Sequence, residues 1–547
     1  MDEPVLFGVA GAPEVEPDRE RLGGKGAGLV AMTQLGLPVP PGFILDTAVG
    51  ARVASGALSL SAGDMDTILA SVARLEKATG RSFGSGPRPL LVSVRSGAPA
   101  SMPGMMDTVL NVGLTREASE ALAAETGDRR FALDCRRRFL QAFSQIVLDL
   151  PAEPFEEILE IARDEAGVDA DAELDASVLK QVVRGFEELI VRRVGDGFPD
   201  DAPRQLQLAL LAVFNSWNAD RAAHFRQLQG IGEDLGTAAV VQVMVFGNRS
   251  AGSATGVMTT RNPSTGEAAP FGEYMANAQG DDIVGGLLTP APLTERARHD
   301  LGVSEPSLER VLPDVWEALR DHGQRLEAHY GVPQEIEFTV EDGQLMLLQV
   351  RAAKLTDRAR LRVAVEMAQE GAITRAQAVE RCGDELLAPM LVRRADPKPG
   401  DRLFAKGLPA SPGAASGVLA FTSEDAVRAT RAGQPVVLLR RETDPSDVHG
   451  MDAAVAIVTA RGGMTSHAAV VARGMGRPCV TAASGIRIDA ANGLASAGGQ
   501  VLRAGDRVTV DGASGQVFIG TVALREPAPT GHLATILEWK AAHPTHA

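Results

Sequence analysis

The amino-acid sequence predicts a multidomain α/β protein. Its 547 residues allow about three or four folding units, at roughly 100–200 residues for each unit. Two changes of pattern divide the chain. Residues 115–230 carry apolar residues at helical spacing, and from about residue 236 the apolar residues follow the spacing of strands. A third stretch, from residue 402, alternates short strands with a helix, which is typical of an α/β domain.

The bulk composition is that of a globular protein, with 45% hydrophobic residues and a mean hydropathy close to zero. No apolar run approaches the roughly 18–20 residues that span a bilayer, and the acidic N-terminus lacks the basic region of a signal peptide. We therefore expect a cytoplasmic protein without a membrane partner. The net charge of −16 and the 4% of aromatic residues argue against nucleic acid as a partner.

The N-terminal part, residues 20–110, mixes short apolar runs with glycine-rich segments. The run LLVSV at 90–94 predicts a strand. Residues 23–26, GGKG, predict a turn whose backbone can approach a phosphate, with Lys25 supplying a positive charge. The sequence holds no GxxxxGK[ST] motif, so a P-loop fold is not expected.

Strands predominate after residue 236, and the last two of them, EIEFTV and QLMLLQVR, are separated by Asp342 and Gly343. This dipeptide predicts a hairpin. Because side chains alternate along a strand, Glu337 on one strand and Gln349 and Arg351 on the next can point into one cleft. A carboxylate and an amide there can hold Mg²⁺, and Arg351 can neutralise charge during phosphoryl transfer.

The most informative stretch is the run TARGGMTSHAAVVARGMGRPCV at 459–480. Thr465 and Ser466 are good helix caps, and the helix after them should end at Gly474 or Gly476. His467 then lies at a helix N-terminus, where free N–H groups favour an anion. A neutral imidazole is a competent nucleophile near pH 7. The alternative is an ordinary capped helix that happens to begin with histidine.

The run from 462 to 480 resembles the phosphohistidine motif of the pyruvate, phosphate dikinases nearly residue for residue. The resemblance implies that His467 is the catalytic residue that accepts phosphate. It also implies that Thr465 is the position at which a regulatory kinase–phosphatase acts in some members. A phosphothreonine there would add about −1.5 to −2 charges beside the nucleophile and repel incoming phosphate.

Earlier runs resemble the nucleotide-binding domain of the same family, which has an ATP-grasp fold. They are LGGKGAGLVAMTQLGLPVPPGF, LLVSVRSGAPASMPGMMDTVLNVGL, TGVMTTRNPSTGE, GEYMANAQGDDIVGG and QEIEFTVEDGQLMLLQVR. The resemblance implies Mg²⁺ as cofactor, held by Glu337 and Gln349. The nucleotide-binding residues that it implies are Lys25, Arg95, Met105, Thr255, Glu337, Gln349 and Arg351. Two positions depart from the family: Glu335 replaces an aspartate, and Leu288 replaces an arginine.

The resemblance extends from about residue 5 to 525 and implies four regions. Residues 1–353 form the ATP-grasp domain, with a helical subdomain at about 115–230, and 354–401 form a helical connector. Residues 402–524 form a swivelling β/β/α phosphohistidine domain, and 525–547 form a tail. The remaining residues are too few for the family's (β/α)₈ barrel, which needs about 250. Two alternatives stay open: the barrel that binds phosphoenolpyruvate and pyruvate is a separate protein partner, or it was removed.

The expected function is the nucleotide half of the dikinase reaction, in which ATP and phosphate yield AMP and pyrophosphate while His467 is phosphorylated. A homodimer is compatible with this expectation. Two alternatives stay open. One is transfer from the phosphohistidine to another acceptor, as in the rifamycin phosphotransferases. The other is a non-catalytic, truncated nucleotide-binding protein.

Overall fold

The structure, a computed structural model, describes residues 3–57, 59–100, 102, 104–280, 282, 290–387, 393–525 and 530–542. It divides into two compact units. The first contains Met1–Arg249 and Met346–Gln349, and the second contains Ser250–Leu345 and Val350–Ala547. Helices and strands occur in both units, which confirms the predicted mixed α/β class. Within the described ranges, no helix combines the length and the apolar character that a membrane span requires.

The first unit is built on an antiparallel sheet. The strands of this unit are β1 (Val5–Phe7), β2 (Gly42–Leu45), β3 (Ser82–Phe83), β4 (Pro89–Leu90), β5 (Val92–Gly97), β6 (Thr108–Val112) and β7 (Ala238–Val243). Five of them form the sheet in the order β1-β2-β7-β5-β6. Val92 and Val94 of β5 are fully buried in the core, and the next residue, Arg95, is only half-buried. The strand predicted at 90–94 is thus confirmed, and it carries Arg95 away from the core.

Nine helices of the described residues belong to the first unit. They are α1 (Arg19–Gln34), α2 (Thr47–Ala54), α3 (Ala62–Thr79), α4 (Arg116–Thr126), α5 (Arg129–Ile146), α6 (Glu153–Ala166), α7 (Ala176–Val194), α8 (Ala202–Asn215) and α9 (Asp220–Gln229). Helices α4 to α9 occupy the stretch 115–230 that was predicted to be helical. Helix α5 joins two cores, because Phe139 packs with the sheet while Leu140 packs with Phe186 of α7.

Most of the second unit's N-terminal part is another five-stranded sheet, ordered β10-β9-β8-β11-β12, although Met346–Gln349 of the last strand are assigned to the first unit. The bounds are β8 (Ala254–Thr259), β9 (Phe271–Ala276), β10 (Ala291–Pro292), β11 (Gln334–Glu341) and β12 (Gln344–Ala352), with helices α10 (Glu295–Leu301), α11 (Leu308–Val311) and α12 (Pro313–Tyr330). The predicted hairpin joins β11 to β12. Asp342 and Gly343 have φ of 50° and 79°, as a two-residue type I′ turn requires.

Three helices follow the hairpin, in the region predicted to be a helical connector: α13 (Asp357–Gln369), α14 (Arg375–Arg381) and α15 (Asp384–Leu387). They share an apolar core with Ile536 and Trp539, which belong to the helix His532–Ala542 near the C-terminus. The guanidinium of Arg375 lies 5.2 Å from the centre of the Trp539 ring. The amphipathic segment of the tail is therefore packed against the connector, which the sequence had not indicated.

The strands in the rest of the described second unit form an eight-stranded sheet, a three-stranded sheet and a two-stranded sheet. The elements are β13 (Arg394–Ala395), β14 (Arg402–Lys406), β15 (Leu408–Ser411), β16 (Ala414–Ala420), α16 (Ser423–Arg431), β17 (Val436–Arg440), α17 (Val448–Ala453), β18 (Ala456–Thr459), α18 (His467–Gly474), β19 (Cys479–Thr481), β20 (Arg487–Asp489), β21 (Leu494–Ala497), β22 (Gln500–Arg503), β23 (Arg507–Asp511), β24 (Gln516–Ile519), β25 (Leu524–Arg525) and α19 (His532–Ala542). The large sheet has the order β14-β24-β23-β16-β17-β18-β19-β15. Strands β16 to β19 are parallel neighbours, so the loop into α18 leaves the carboxyl edge of this sheet.

All three cysteines of the chain lie among the described residues, are buried and form no disulfide. Cys135 lies in the core of the first unit, Cys382 in the connector core and Cys479 beneath α18. Burial raises the pKa of the Cys382 thiol to about 11 and that of Cys479 to about 12. These thiols therefore stay protonated at neutral pH.

Candidate active site

His467 is the first residue of α18, which ends at Gly474 as predicted. Ser466 occupies the N-cap position, but its side chain makes no capping hydrogen bond and its buried hydroxyl has no partner. The hydroxyl of Thr465 is donated to the carboxylate of Glu273 instead. Ser466 is therefore the N-cap residue, as predicted, but neither hydroxyl makes a capping hydrogen bond. The physical reason is that a buried carboxylate accepts hydrogen bonds more strongly than a neutral acceptor does.

The two nitrogens of the His467 imidazole have different surroundings. Nδ1 lies 3.1 Å from the hydroxyl oxygen of Thr443, whereas Nε2 is buried without a hydrogen-bond partner. Burial lowers the pKa of His467, and the carboxylates of Asp444 and Asp447 partly oppose that effect. The imidazole is thus kept neutral, with one ring nitrogen paired and the other available for chemistry.

We expect the phosphorylation of His467 to persist below pH 6.5. A buried imidazole resists protonation, so the neutral nucleophile survives at pH values where an ordinary histidine, with a pKa of about 6.5, is charged. The initial rate of labelling by ATP, measured from pH 5 to 8, should fall in a single proton step centred below 6.5. Asp444→Asn removes a carboxylate that raises this pKa and should move the step lower still. A step at or above 6.5 in the unaltered chain would contradict the expectation.

Arg351 on β12 forms an ion pair with Glu335 on β11, in which its Nε lies 2.8 Å from Oε1. Glu335 is only 7% exposed. Burial alone would lower the pKa of the Arg351 guanidinium, but the charges of Glu335 and Glu337 raise it overall. Arg351 therefore remains a cation, and Glu335 and Glu337 are the carboxylates close to it. Glu335 stands where the resemblance implies an aspartate. Its side chain is longer by one methylene, and it pairs with Arg351.

Two further cations lie near this pair, and sequence reasoning missed both. Arg473 of α18 is half-buried, donates to the carbonyl oxygens of Ala410 and Met464, and is influenced by the charges of Glu335 and Arg351. Burial lowers the pKa of Lys354, and the nearby charge of Arg351 lowers it further. The last turn of α18, which carries Arg473, is therefore close enough to Glu335 and Arg351 for their charges to act on it.

The segment around Lys25 is part of helix α1, so the predicted turn at 23–26 is wrong. The helix is kinked at Gly23, where φ is 69° and ψ is 162°. A Cβ at Gly23 would lie 1.6 Å from the carbonyl oxygen of Gly97, so only glycine permits this approach. Gly24 then donates its N–H to the carbonyl oxygen of Ala98 at 2.9 Å. The kink serves packing against the end of β5 and leaves Lys25 half-buried beside it.

Arg95 and Gln349 meet within the first unit. The guanidinium of Arg95 donates to the carbonyl oxygen of Leu348 at 3.1 Å and to the side-chain oxygen of Gln349 at 3.4 Å. Both residues were predicted to act at the triphosphate. Their contact holds the arginine at the end of β5 where α1 also packs. Lys25, Arg95 and Gln349 thus belong to the first unit, and Glu337, Arg351 and His467 to the second.

The other predicted residues have different environments. Met105 is 1% exposed, and its carbonyl oxygen accepts a hydrogen bond from Arg221. Thr255 on β8 is 3% exposed, and its hydroxyl lies within hydrogen-bond distance of the carbonyl oxygen of Phe338 and the hydroxyl of Thr339. Leu288, where the family has arginine, lies outside the described residues.

The residues predicted to hold Mg²⁺ have suitable donor atoms, a carboxylate in Glu337 and an amide oxygen in Gln349. Among the described residues there is no group of three or more His, Cys, Asp or Glu side chains that could hold a metal ion. A metal held by the protein alone is therefore not indicated there. Mg²⁺ is commonly bound through one or two protein ligands, several waters and the phosphates of a substrate. Glu337, in the second unit, offers a carboxylate for that mode, whereas the amide oxygen of Gln349, in the first unit, accepts a hydrogen bond from Arg95.

Comparison with known proteins identifies two regions. Residues 59–309 and 292–372 match the family described as pyruvate phosphate dikinase, AMP/ATP-binding domain. Residues 432–515 match the family described as PEP-utilising enzyme, mobile domain. The second match contains His467 and the loop before it, and the first contains β8 to β12. The fold and these matches therefore define a chain that combines an AMP/ATP-binding domain of the pyruvate phosphate dikinase type with a mobile domain of the PEP-utilising enzyme type.

Several curated relatives are similar to the chain over almost its whole length. A pyruvate, phosphate dikinase of Rhizobium meliloti (strain 1021) is 47% identical over 533 residues, covering 97% of this chain and 59% of the relative. Pyruvate, phosphate dikinase 2 of Zea mays is 44% identical, over 95% of this chain and 58% of its own. The enzyme of Clostridium symbiosum is 42% identical, over 95% and 59%. The chain belongs to the pyruvate, phosphate dikinase family, and it spans somewhat more than half the length of these relatives.

Sequence reasoning missed four residues around the candidate site: Thr443, Glu273, Lys354 and Arg473. Glu273 and Arg473 lie inside the quoted runs that resemble the family, so the runs located them without assigning a role. Thr443 contacts His467 across 24 positions in the sequence, and Glu273 contacts Thr465 across 192. Contacts of that kind depend on the tertiary fold and leave no local signal in the sequence.

Proposed function

We propose that the chain binds ATP and transfers its β,γ-pyrophosphoryl group to His467. Inorganic phosphate then removes the γ-phosphate as pyrophosphate, and His467 carries the remaining phosphoryl group. The observation that supports this most directly lies within the second unit, where Arg473 of the His467 helix is close enough to the Glu335–Arg351 ion pair for both charges to act on its pKa. Phosphoryl transfer requires a nucleophile positioned near cations that neutralise the charge on phosphate.

The imidazole acts as a neutral nucleophile in this proposal. We assign its proton to Nδ1, which donates to the hydroxyl of Thr443, so that the lone pair of Nε2 is available. Nε2 attacks the β-phosphorus, the bond from that phosphorus to the oxygen bridging the α- and β-phosphates breaks, and AMP leaves. An oxygen of inorganic phosphate then attacks the γ-phosphorus, pyrophosphate leaves, and the β-phosphoryl group stays on Nε2. The N-terminal N–H groups of α18 favour this negative charge.

The binding roles follow the family resemblance. Lys25, Arg95 and Arg351 bind the phosphates of ATP, with Met105 and Thr255 also in the nucleotide site. Glu337 and Gln349 would hold Mg²⁺, which neutralises phosphate charge when it is bound. The assignment of Arg351 is supported by its retained positive charge beside Glu335 and Glu337.

In this proposal the chain has the four regions that its sequence predicts. Residues 1–353 form an ATP-grasp domain, 354–401 a connector, 402–524 a swivelling domain and 525–547 a tail. Swivelling would carry phosphorylated His467 to a (β/α)₈ barrel, which is the proposed partner for transfer to pyruvate. Thr465 is the proposed regulatory position, and a homodimer stays a prediction.

The experiment that tests this function uses ATP labelled at the β-phosphate, with inorganic phosphate and without pyruvate. The purified chain should acquire a label that is stable to base and labile to acid, as expected for a phosphohistidine. Label at the γ-phosphate should instead leave as pyrophosphate. A chain that binds ATP but never acquires β-label would contradict the proposal and favour a non-catalytic nucleotide-binding protein.

A further inference from the structure

Glu273 is a buried carboxylate that contacts the loop preceding His467. It lies on β9 and is 6% exposed. Its Oε2 accepts the N–H of Met464 at 3.2 Å, and its Oε1 accepts the N–H of Thr465 at 3.1 Å together with the Thr465 hydroxyl. All three of these hydrogen bonds come from two consecutive loop residues. Among the described residues, the hydrogen bonds to the Glu273 carboxylate thus come from this loop.

The positive charge of Arg473 does not explain how the Glu273 carboxylate is stabilised in its buried position. Arg473 lowers the pKa of this carboxyl, but burial has the larger effect and raises it. Two N–H groups of Arg473 are donated to the carbonyl oxygens of Ala410 and Met464. Burying a carboxylate is costly unless it is hydrogen-bonded, so the loop N–H groups and the Thr465 hydroxyl are what stabilise it here.

The backbone of the loop is shaped for this carboxylate. A Cβ added at Gly463 would lie 2.3 Å from Oε2 of Glu273 and 2.5 Å from Oε1, so a side chain there would displace the carboxyl group. The next residue, Met464, is buried, at 6% exposed. Ser466, at the helix N-cap, makes no capping hydrogen bond. The placement of His467 thus depends on the contact of residues 463–465 with β9.

We propose that Glu273 is a positioning residue that recognises the Thr465 hydroxyl and the adjacent backbone N–H groups, and so holds His467 in place while the imidazole accepts phosphate. The inference rests on the proposed function. It adds that residues from the two family matches make a specific hydrogen-bonded contact, with Glu273 within 59–309 and Thr465 within 432–515. Release of this contact would free the loop for the later transfer step.

The test measures the rate at which His467 acquires β-label and, separately, the dissociation constant for ATP. Glu273→Gln removes the charge and Thr465→Val removes the hydroxyl, and each should slow labelling by about 10- to 100-fold, since hydrogen bonds to a charged group are lost. Affinity for ATP should change less than about twofold, because neither residue binds nucleotide. Thr465→Ser keeps the hydroxyl and should label within about threefold of the unaltered chain. Glu317→Gln, an equal charge change at an exposed position on α12, is the matched control.

Combining Glu273→Gln with Thr465→Val should slow labelling little more than either change alone, because both remove the same contact. Gly463→Ala supplies a second route, since it keeps the charge of Glu273 but its methyl group would displace the carboxyl group from the loop. It should also slow labelling, and it keeps the test decisive if Glu273→Gln fails to fold. Normal labelling in Glu273→Gln or Gly463→Ala, or effects that multiply in the double variant, would overturn the inference. Absence of label in the unaltered chain would instead refute the proposed function.

Discussion

Replacing His467 with asparagine is expected to abolish the β-label, by about 1000-fold or more, because the amide has no nucleophilic nitrogen. Asparagine is polar and can still hydrogen-bond to Thr443, which lies 3.1 Å from Nδ1 of the histidine. The fold around α18 should therefore survive, and ATP binding should be unchanged. The measurement is radiolabel retained on the denatured chain, with the modified peptide located by mass spectrometry under basic conditions.

The matched control for that variant is His449→Asn. His449 is an exposed histidine on α17 in the same eight-stranded-sheet region, and its replacement should leave the label unaffected. Residual label in His467→Asn would show that another residue accepts phosphate. Loss of label in His449→Asn would show that the assay reports a general disturbance of this region.

Replacing Arg351 with methionine is the change with the next largest expected effect. The cation is proposed to neutralise charge on the transferred phosphate, and loss of such a group costs about 10²- to 10³-fold in rate. Arg351→Lys should recover only part of the loss, because an ammonium lacks the planar fork of the guanidinium. The measurement is single-turnover labelling of His467 at saturating ATP.

Stability has to be separated from chemistry in the Arg351 variant. Methionine leaves Glu335, which is 7% exposed, as a buried carboxylate that has lost its partner, and breaking a buried pair costs about 3–5 kcal/mol. The double variant Arg351→Met with Glu335→Gln removes that unpaired charge. It should regain most of the thermal stability and still label slowly. Recovery of labelling together with stability would mean that Arg351 has a structural role alone.

The sequence predicts those features that depend on neighbouring residues. The hairpin at Asp342 and Gly343 is such a case, because both residues tolerate the positive φ that the turn needs. The glycine run at 23–26 is a counterexample. The same residue types suggested a turn, but Gly23 is required because α1 approaches the backbone of Gly97, and that approach depends on a strand more than 70 positions away.

The candidate site was predictable to the extent that a motif carried it. His467 and the extent of its helix were found from the local run. The environment of the imidazole and of the loop before it was not, because Thr443 contacts the ring and Glu273 contacts the loop only through the tertiary fold. Ser466 shows the limit of a local rule: its type favours a cap, yet in the folded chain its hydroxyl has no partner. The sequence around Trp539 likewise did not predict which helices it packs against, since an amphipathic segment does not specify the surface that it covers.

The burial of Cys135, Cys382 and Cys479 has a practical consequence for observing this protein at work. A thiol reacts as its anion, so native cysteines with a pKa of about 11 or 12, or shielded in a core, should be spared by maleimide dyes. A pair of cysteines introduced on exposed helices could then be labelled without first removing the native ones. Energy transfer between two such fluorophores would report on reorientation of the His467 region in real time.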